Sequence, residues 1–147
     1  MNLIDYNRIQ LEYLQENVVI LSALNGVLNP FDGIKPYRLD MTMKPCGVNL
    51  YKFWDFDSYF SEEVIINLAS KEFSKLVTKY KVDILFLEYK NDKYVNISTY
   101  SKQARGLMLD YMIKNNVRLI ADIKEFSLNG YKYSESESSV SSLVFVR

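Results

Sequence analysis

Short apolar runs alternate with longer segments of helical periodicity along this 147-residue chain. The runs "VVILSAL", "VIINLAS" and "DILFLEYK" have the length and composition of buried strands, and neighbouring segments repeat apolar residues every three or four positions. Strands that alternate with helices are typical of α/β domains. We therefore predict a mixed α/β fold, in which helices flank a central mixed sheet and "VVILSAL" and "VIINLAS" form central strands.

Local patterns also predict a hairpin, a long helix and a C-terminal strand pair. "DILFLEYK" and "KYVNIST" are separated by "NDK", and Asn and Asp tolerate the positive φ angles of a tight turn. "YKYSESES" and "SLVFVR" should close the sheet as an antiparallel pair at an edge. "TYSKQARGLMLDYMIKNNV" reads as a helix with one apolar stripe that we expect to pack on the sheet. The stripe consists of Tyr100, Ala104, Leu107, Met108 and Tyr111.

Length and composition favour one domain that covers residues 1–147. A hydrophobic content of 48% is sufficient for a buried core. No apolar run approaches the roughly 20 residues of a membrane span, and the N-terminus lacks the pattern of a signal peptide. Cys46 is the single cysteine, so an internal disulfide is excluded, and its neighbours lack metal-ligand spacing. These features predict a cytoplasmic protein without a membrane association or a bound metal.

The chain has no histidine, which removes several classes of catalysis. Ser-His and Cys-His nucleophiles and His-ligated zinc are excluded, and an enzyme would depend on carboxylates, Lys or Tyr. The sequence predicts no catalytic residue and no cofactor. Formal charge is zero overall, but residues 71–118 hold 10 Lys or Arg against 5 Asp or Glu. Such a basic segment can bind an anion such as nucleic acid, or it can form a solvated Lys-rich surface.

The segment "KPYRLDM" is the first of three candidate anion-binding segments. Its proline fixes one φ angle and favours an extended conformation at Lys35, so Tyr37 and Arg38 should point in a defined direction. Lys35 and Arg38 would bind the anion. The alternative is structural: Arg38 pairs with Asp40 or Asp32 and holds the loop.

The segment "NLASKEF" follows the second predicted strand. Asn67 interrupts an apolar strand, and a buried amide needs several hydrogen-bond partners, which a ligand can supply. Ser70 stands at the position of a helix N-cap, where its side chain would bond a backbone N–H near Glu72. Ser70 and the adjacent Lys71 are therefore candidates for anion binding, with capping as the structural alternative for Ser70.

The segment "STYSKQARG" opens the long predicted helix. Lys102 and Arg105 lie three residues apart on one face of its first two turns, where free N–H groups and the helix dipole attract anions. The anion would be a ligand phosphate, or an Asp or Glu of a neighbouring strand. Gly106 destabilises a helix by roughly 0.5–1 kcal/mol relative to Ala, so we expect another backbone or a ligand to approach it closely.

Five blocks of the chain resemble the YaaA family of bacterial peroxide stress proteins. They occur in the family's order, from about residue 17 to the C-terminus: "LSALNGVLNPFDGIKPYRLDM", "NLYKFW", "VIINLASKEFSKLV", "YSKQARGLMLDYMI" and "FSLNGYKYSESES…LVFVR". The resemblance implies a cytoplasmic protein that binds duplex and single-stranded DNA and limits oxidative DNA damage by lowering available iron. It brings no established catalytic reaction. It also implies that the chain corresponds to the C-terminal two thirds of the family's length and lacks the N-terminal region.

The three candidate segments coincide with recurrent blocks of the family. We therefore expect them to converge, with Arg38, Lys102 and Arg105 lining one basic cleft, Tyr37 as a stacking surface and Asn67 at the floor. Cations that neutralise phosphates beside an aromatic face are the parts of a sequence-tolerant nucleic-acid site.

Two other functions remain open. The cations could hold the phosphate of a small nucleotide-like substrate for an enzyme, with Glu72 or Asp40 as the base, or the chain could be an inactive truncated remnant. Loss of an N-terminal strand would leave an open sheet edge and an apolar face. We therefore expect self-association or a partner chain that covers the missing region.

Overall fold

The computed structural model describes residues 3–61 and 63–147, and its contacts form two compact units. The loop unit consists of Leu14–Lys81, and the sheet unit consists of Val82–Arg147 with the N-terminal residues 3–13. The predicted mixed α/β class is confirmed, since helices and both parallel and antiparallel strand pairs are present. The prediction of one domain over the whole chain stays a prediction.

The secondary structure elements are short in the loop unit and longer in the sheet unit. The helices are α1 (Arg8–Asn17), α2 (Leu50–Phe53), α3 (Lys71–Ser74), α4 (Ser98–Lys114) and α5 (Ile120–Lys124), with 3-10 turns at Leu3–Asp5 and Pro45–Gly47. The strands are β1 (Ile20–Ser22), β2 (Gly26–Leu28), β3 (Ile65–Asn67), β4 (Lys81–Lys90), β5 (Lys93–Val95), β6 (Lys132–Ser139) and β7 (Ser142–Val146). Among the helices of the described residues, none is long and apolar enough to cross a membrane.

The sheet unit is built on a mixed sheet. β7 pairs in parallel with β4 and antiparallel with β6, which confirms the predicted C-terminal pair, with Tyr133 opposite Phe145. β5 pairs antiparallel with the end of β4. The turn between the two strands consists of Asn91 and Asp92, whose φ angles are 52° and 59°. The hairpin prediction is therefore confirmed, including the positive φ angles that its turn residues tolerate.

The core of the sheet unit is aromatic. The Phe86 ring lies 5.5 Å from Phe145 and 5.9 Å from Phe126, and these three side chains are buried. The centre of the predicted α4 stripe is also buried, with Ala104 and Met108 both at 0% exposure. Close packing of large rings makes the long elements of this unit mutually dependent.

The predicted stripe of α4 is wrong at its first residue. Tyr100 is 42% exposed, and the Arg147 guanidinium lies 5.0 Å from its ring centre. Ser101 is buried instead, and its hydroxyl donates to the Phe86 carbonyl at 3.1 Å. A small side chain fits where the helix approaches the strand, so the bulky ring is displaced to the surface.

In the loop unit, β1 and β2 form a two-stranded hairpin, and β3 belongs to a different sheet. The prediction that "VVILSAL" and "VIINLAS" are central strands of one sheet is therefore wrong. The chain reverses directly after β1, because Gly26 adopts a φ angle of 77° that glycine alone reaches without strain. β1 then pairs with the next segment along the chain.

A close contact explains why position 26 is glycine. A Cβ added to Gly26 would lie 2.8 Å from Cζ3 of Trp54, well inside contact distance. The Trp54 indole N–H donates to the Ala23 carbonyl at 2.9 Å, and Ala23, Met41 and Leu50 form the buried cluster beside it. The hairpin and α2 are therefore joined through one indole ring.

The helix that follows Ser70 is only one turn long. α3 ends at Ser74, and Tyr80 with a φ angle of 48° returns the chain so that its carbonyl accepts from the Ile65 N–H at 2.9 Å. Lys81 is half-buried and donates to the Ser74 carbonyl at 3.0 Å. Because the chain turns at Tyr80 and pairs with β3, the helix does not continue beyond Ser74.

Candidate nucleic-acid interface

The loop that contains "KPYR" is irregular but anchored at several points. The Tyr37 and Ser22 hydroxyls are 2.5 Å apart, and Leu39 packs against the buried cluster of the loop unit. Lys35 and Arg38 are exposed. The segment between these anchors therefore carries its two cations in solvent, and their part in anion binding stays a prediction.

The ring of Tyr37 remains 39% exposed although its hydroxyl is bonded. A fixed hydroxyl limits rotation of the side chain, so one part of the ring is held towards solvent. This geometry is compatible with the stacking surface expected from the sequence.

Asp40 and Glu72, the two carboxylates considered as catalytic bases, both support the polypeptide backbone. Asp40 accepts from the Thr42 hydroxyl at 2.5 Å and from two backbone N–H groups, and the Glu72 carboxylate accepts from the Met41 N–H at 2.6 Å. These hydrogen bonds, chiefly that of Thr42, lower the pKa of Asp40, to which the Arg38 charge also contributes. A lowered pKa makes a carboxylate a weaker base.

The Arg38 charge is one of the causes of the lowered pKa of Asp40, whereas a pairing of Arg38 with Asp40 that holds the loop stays a prediction. Asp32 has a different role, because its carboxylate accepts from the Asn29 N–H at 2.7 Å. The Arg38 side chain is exposed to solvent.

The "NLAS" segment is held by a hydrogen bond between two of its own residues. The side-chain amide oxygen (Oδ1) of Asn67 accepts from the Ala69 N–H at 2.9 Å, and Asn67 is half-buried at the end of β3. Ser70 is the N-cap residue of α3, but its hydroxyl forms no capping hydrogen bond within the described residues, so the predicted side-chain cap is wrong. The Ser70 carbonyl accepts from the backbone N–H groups of Phe73 and Ser74. Lys71 is exposed.

Lys102 and Arg105 lie on α4 in different environments. Lys102 is exposed, whereas Arg105 is half-buried and its Nε donates to the Ser101 carbonyl at 3.2 Å. Burial lowers the pKa of Arg105, which means that its charge is partly desolvated. The N-cap residue of α4 is Ile97, an apolar side chain that cannot accept from the first N–H groups of the helix.

The expectation for Gly106 is wrong within the protein. It lies on the exposed side of α4, and a Cβ at this position would meet no described atom within 4 Å. Packing among the described residues therefore does not explain the glycine, and the approach of a ligand to Gly106 stays a prediction.

The structure places the eight candidate residues in both units. The loop unit carries six of them, Lys35, Tyr37, Arg38, Asn67, Ser70 and Lys71, and the sheet unit carries Lys102 and Arg105. Within the loop unit the side chains of Lys35, Arg38 and Lys71 are exposed, while Asn67 and Ser70 are half-buried. Their convergence on one cleft stays a prediction, as does the association of the chain with itself or a partner.

Sequence reasoning missed a polar cluster at the C-terminus of the chain. The Arg147 Nε donates to both carboxylate oxygens of Glu88, at 3.0 and 2.9 Å, and the Tyr131 hydroxyl donates to the same carboxylate. The Arg147 guanidinium lies 4.6 Å from the Tyr131 ring centre. Burial and the bond to Glu88 raise the pKa of Tyr131 to about 12. These residues are far apart in sequence, and no local pattern connects them.

Possible metal ligands are dispersed among the residues that the structure describes. Within residues 3–61 and 63–147, no three His, Cys, Asp or Glu side chains are grouped so that they could hold a metal ion. The carboxylates of Glu72 and Asp40 accept hydrogen bonds from a backbone N–H and a hydroxyl group, respectively.

Comparison with known proteins gives a family. The sequence profile of the family described as "Peroxide stress protein YaaA" matches residues 1–137, so the similarity begins earlier than the blocks near residue 17 suggest. A UPF0246 protein of Fusobacterium nucleatum is 40% identical over 100% of this chain and 63% of its own length. UPF0246 proteins of Ligilactobacillus salivarius and Agathobacter rectalis are 40% and 42% identical over 93% and 94% of the chain.

The chain spans about three fifths of the length of these curated relatives, with 61% to 63% of each relative covered. A match over residues 1–137 of 147 nevertheless includes every candidate segment. The chain therefore belongs to the YaaA family of peroxide stress proteins.

Proposed function

We propose that this chain binds DNA through phosphate contacts and thereby limits iron-dependent damage to DNA during peroxide stress. Family membership supports the stress role, and the start of α4 carries the DNA-binding part of the proposal. Lys102 and Arg105 lie three residues apart there, behind an apolar N-cap residue. They are the fifth and eighth residues of α4, and two like charges three residues apart on one helix face repel each other, a repulsion that a phosphate offsets.

The different environments of the two cations give them different roles. Lys102 is exposed, and its ammonium group is carried by a flexible four-carbon chain. It can therefore bind a phosphate in more than one position. Arg105 is partly buried and bonded to the Ser101 carbonyl, so its guanidinium is held in one orientation. A partly desolvated cation attracts an anion more strongly than a hydrated one does. We infer that Arg105 fixes the position of a phosphate and Lys102 strengthens its binding.

The "KPYR" loop supplies a second group of phosphate contacts in this proposal. Lys35 and Arg38 are exposed, and the Tyr37–Ser22 hydroxyl contact at 2.5 Å and the packing of Leu39 limit the motion of the loop. Cations on an anchored loop lose less conformational entropy on binding than cations on a free one. Contacts of this kind are independent of base sequence.

Paired substitutions test the proposal. Lys102→Gln with Arg105→Gln, and separately Lys35→Gln with Arg38→Gln, should weaken binding to duplex and single-stranded oligonucleotides alike. Each pair should reduce the slope of log K against log salt concentration by about two units, one for each lost phosphate contact. Fluorescence anisotropy with a labelled oligonucleotide measures both quantities.

The control removes the same charge from surface positions outside the candidate segments. Lys52 and Lys79 are exposed, and their joint replacement by Gln should change the slope by much less than either test pair. Equal losses from control and test pairs would indicate diffuse attraction and contradict the assigned residues. Absence of measurable binding by the unmodified chain at low salt would contradict the proposal itself and favour an inactive remnant.

A further inference from the structure

The β4–β5 hairpin carries an exposed pair of tyrosines. Tyr89 and Tyr94 are cross-strand partners, their ring centres are 5.3 Å apart, and the ring planes meet at 63°. The two side chains are 59% and 39% exposed. Aromatic area of this size in water is unfavourable, and it marks a surface that gains from a partner.

The turn makes this pair rigid. Asn91 and Asp92 both adopt the positive φ angles of a two-residue hairpin turn, which fixes the register on either side. At the other end of β5, the Asn96 amide donates to the Ser101 hydroxyl at 2.9 Å and ties the hairpin to the start of α4. The tyrosine rings are thus presented on a short, doubly anchored element.

A like-charged pair lies beside the tyrosines. Lys90 and Lys93 are directly opposite each other in the register, and both are exposed. Like charges that face each other across two strands destabilise the pair, and an anion between or beside them relieves this cost. Asp92 in the turn offsets part of this charge, and one positive charge remains among these three residues.

The tyrosine rings and the lysine ammonium groups match the two parts of an unpaired nucleotide, its base and its phosphate. Strand alternation directs the tyrosine pair and the lysine pair to opposite faces, and the four-carbon stem of a lysine is long enough to bring its ammonium group to the edge of the hairpin. Bases of a single strand can stack on the rings while phosphates meet the ammonium groups. Bases in a duplex are already stacked on each other and cannot use the rings in this way.

We propose that the β4–β5 hairpin is a stacking platform for the unpaired bases of single-stranded nucleic acid. The proposal rests on the DNA-binding function proposed above and adds a part that distinguishes single strands from duplex. Its components, Tyr89, Tyr94, Lys90 and Lys93, lie in the sheet unit with Lys102 and Arg105.

Tyrosine substitutions measured on two probes test the platform. Tyr89→Ala and Tyr94→Ala should weaken binding of a labelled thymidine homo-oligonucleotide by about 5- to 100-fold each, and binding of a blunt duplex by less than about twofold. Tyr89→Phe should retain single-strand affinity, because a phenyl ring still stacks. Tyr59→Ala is the matched control, since Tyr59 is 52% exposed in the loop unit and also lies edge-on to a neighbouring ring.

A spectroscopic readout separates stacking from a general loss of affinity. The indole introduced by Tyr89→Trp should be quenched by the thymidine oligonucleotide and not by the duplex. Thermal unfolding of each variant checks that the exposed substitutions leave the fold intact.

Each outcome decides the inference. Single-strand affinity that is unchanged in both alanine variants, or equally reduced on both probes, overturns the platform while the DNA-binding proposal stands. The platform is also overturned if the phenylalanine variant loses affinity as the alanine variant does. If the unmodified chain binds neither probe, both proposals are wrong, and a protein partner becomes the explanation of the exposed rings.

Discussion

The two units of this chain are stabilised by different kinds of contact. In the sheet unit, helices and strands pack around aromatic rings that contact one another. Phe86, for example, contacts three other rings, those of Phe126, Tyr131 and Phe145. In the loop unit, strands of three residues and helices of four are joined by single contacts such as the bond from Trp54 to the Ala23 carbonyl. Stability in the sheet unit should therefore be spread over many contacts, whereas in the loop unit it should depend on a few positions.

The largest effect is expected in the centre of the sheet unit. Phe145→Ala removes a fully buried ring that contacts Phe86, Phe126 and Tyr133, and it should lower the free energy of unfolding by about 3–5 kcal/mol. Urea unfolding followed by far-UV circular dichroism measures the change. Phe53→Ala, at a ring that is 61% exposed in the loop unit, is the control and should cost far less. Similar losses from both would contradict the aromatic core.

The single glycine contact of the loop unit is the next test. Gly26→Ala places a Cβ 2.8 Å from Trp54 at a φ angle of 77°, so it should destabilise the loop unit by about 2–4 kcal/mol. Trp54 is the only tryptophan, and its fluorescence reports on this unit directly. Gly33→Ala, where a Cβ meets no described atom within 4 Å, should leave the unfolding curve nearly unchanged. An unaffected Gly26→Ala variant would show that the hairpin does not pack on the indole.

The C-terminal cluster of the sheet unit predicts a loss of stability at alkaline pH. The folded state keeps the Tyr131 phenol protonated up to about pH 12, whereas the unfolded chain releases this proton near 10.0. The free energy of unfolding therefore falls as pH rises between these values, by about 1.4 kcal/mol per pH unit for one proton.

Tyr131→Phe should remove this one-proton contribution from the pH dependence. Urea unfolding between pH 10 and 12 should give a shallower decline for the variant than for the unmodified chain. Tyr59→Phe at an exposed ring serves as the control and should leave the decline unchanged. Parallel curves for Tyr131→Phe and the unmodified chain would contradict the buried bond to Glu88.

The smallest effect has the opposite sign. Gly106→Ala should stabilise the sheet unit by about 0.5–1 kcal/mol, because the position is helical, exposed and unobstructed. Thermal unfolding measures the gain. If the same variant also loses DNA affinity, a phosphate backbone approaches α4 at this point, and that approach explains the glycine. A loss of stability would contradict the open surface of α4.

Sequence periodicity predicts the sheet unit well because its elements satisfy their patterns locally. The turn at Asn91 and Asp92, the pairing of Tyr133 with Phe145 and the burial of Ala104 all follow from local rules. The same rules are wrong for β1, where Gly26 and Trp54 decide the pairing through a contact between residues 28 positions apart. Short elements carry too little periodicity to specify their partners.

The candidate cations could be chosen from sequence, but their environments could not. Spacing places Lys102 and Arg105 on one face of α4, yet burial of Arg105 and exposure of Lys102 depend on how the helix packs. The pairing of Tyr89 with Tyr94 and of Lys90 with Lys93 could have been predicted, since "YKNDKY" is symmetric about its turn. The bond between Glu88 and Arg147 had no signal in the sequence, because 59 residues separate its partners.

The salt dependence of DNA binding tests the central claim most directly. With a labelled duplex, contacts of Arg38, Lys102 and Arg105 with three phosphates should contribute about −2.7 to the slope of log K against log salt concentration. Replacement of all three by Gln should make the slope shallower by about this amount and weaken duplex and single-strand binding together. An unchanged slope in the triple variant, with binding retained, would contradict the proposal that these cations hold the DNA.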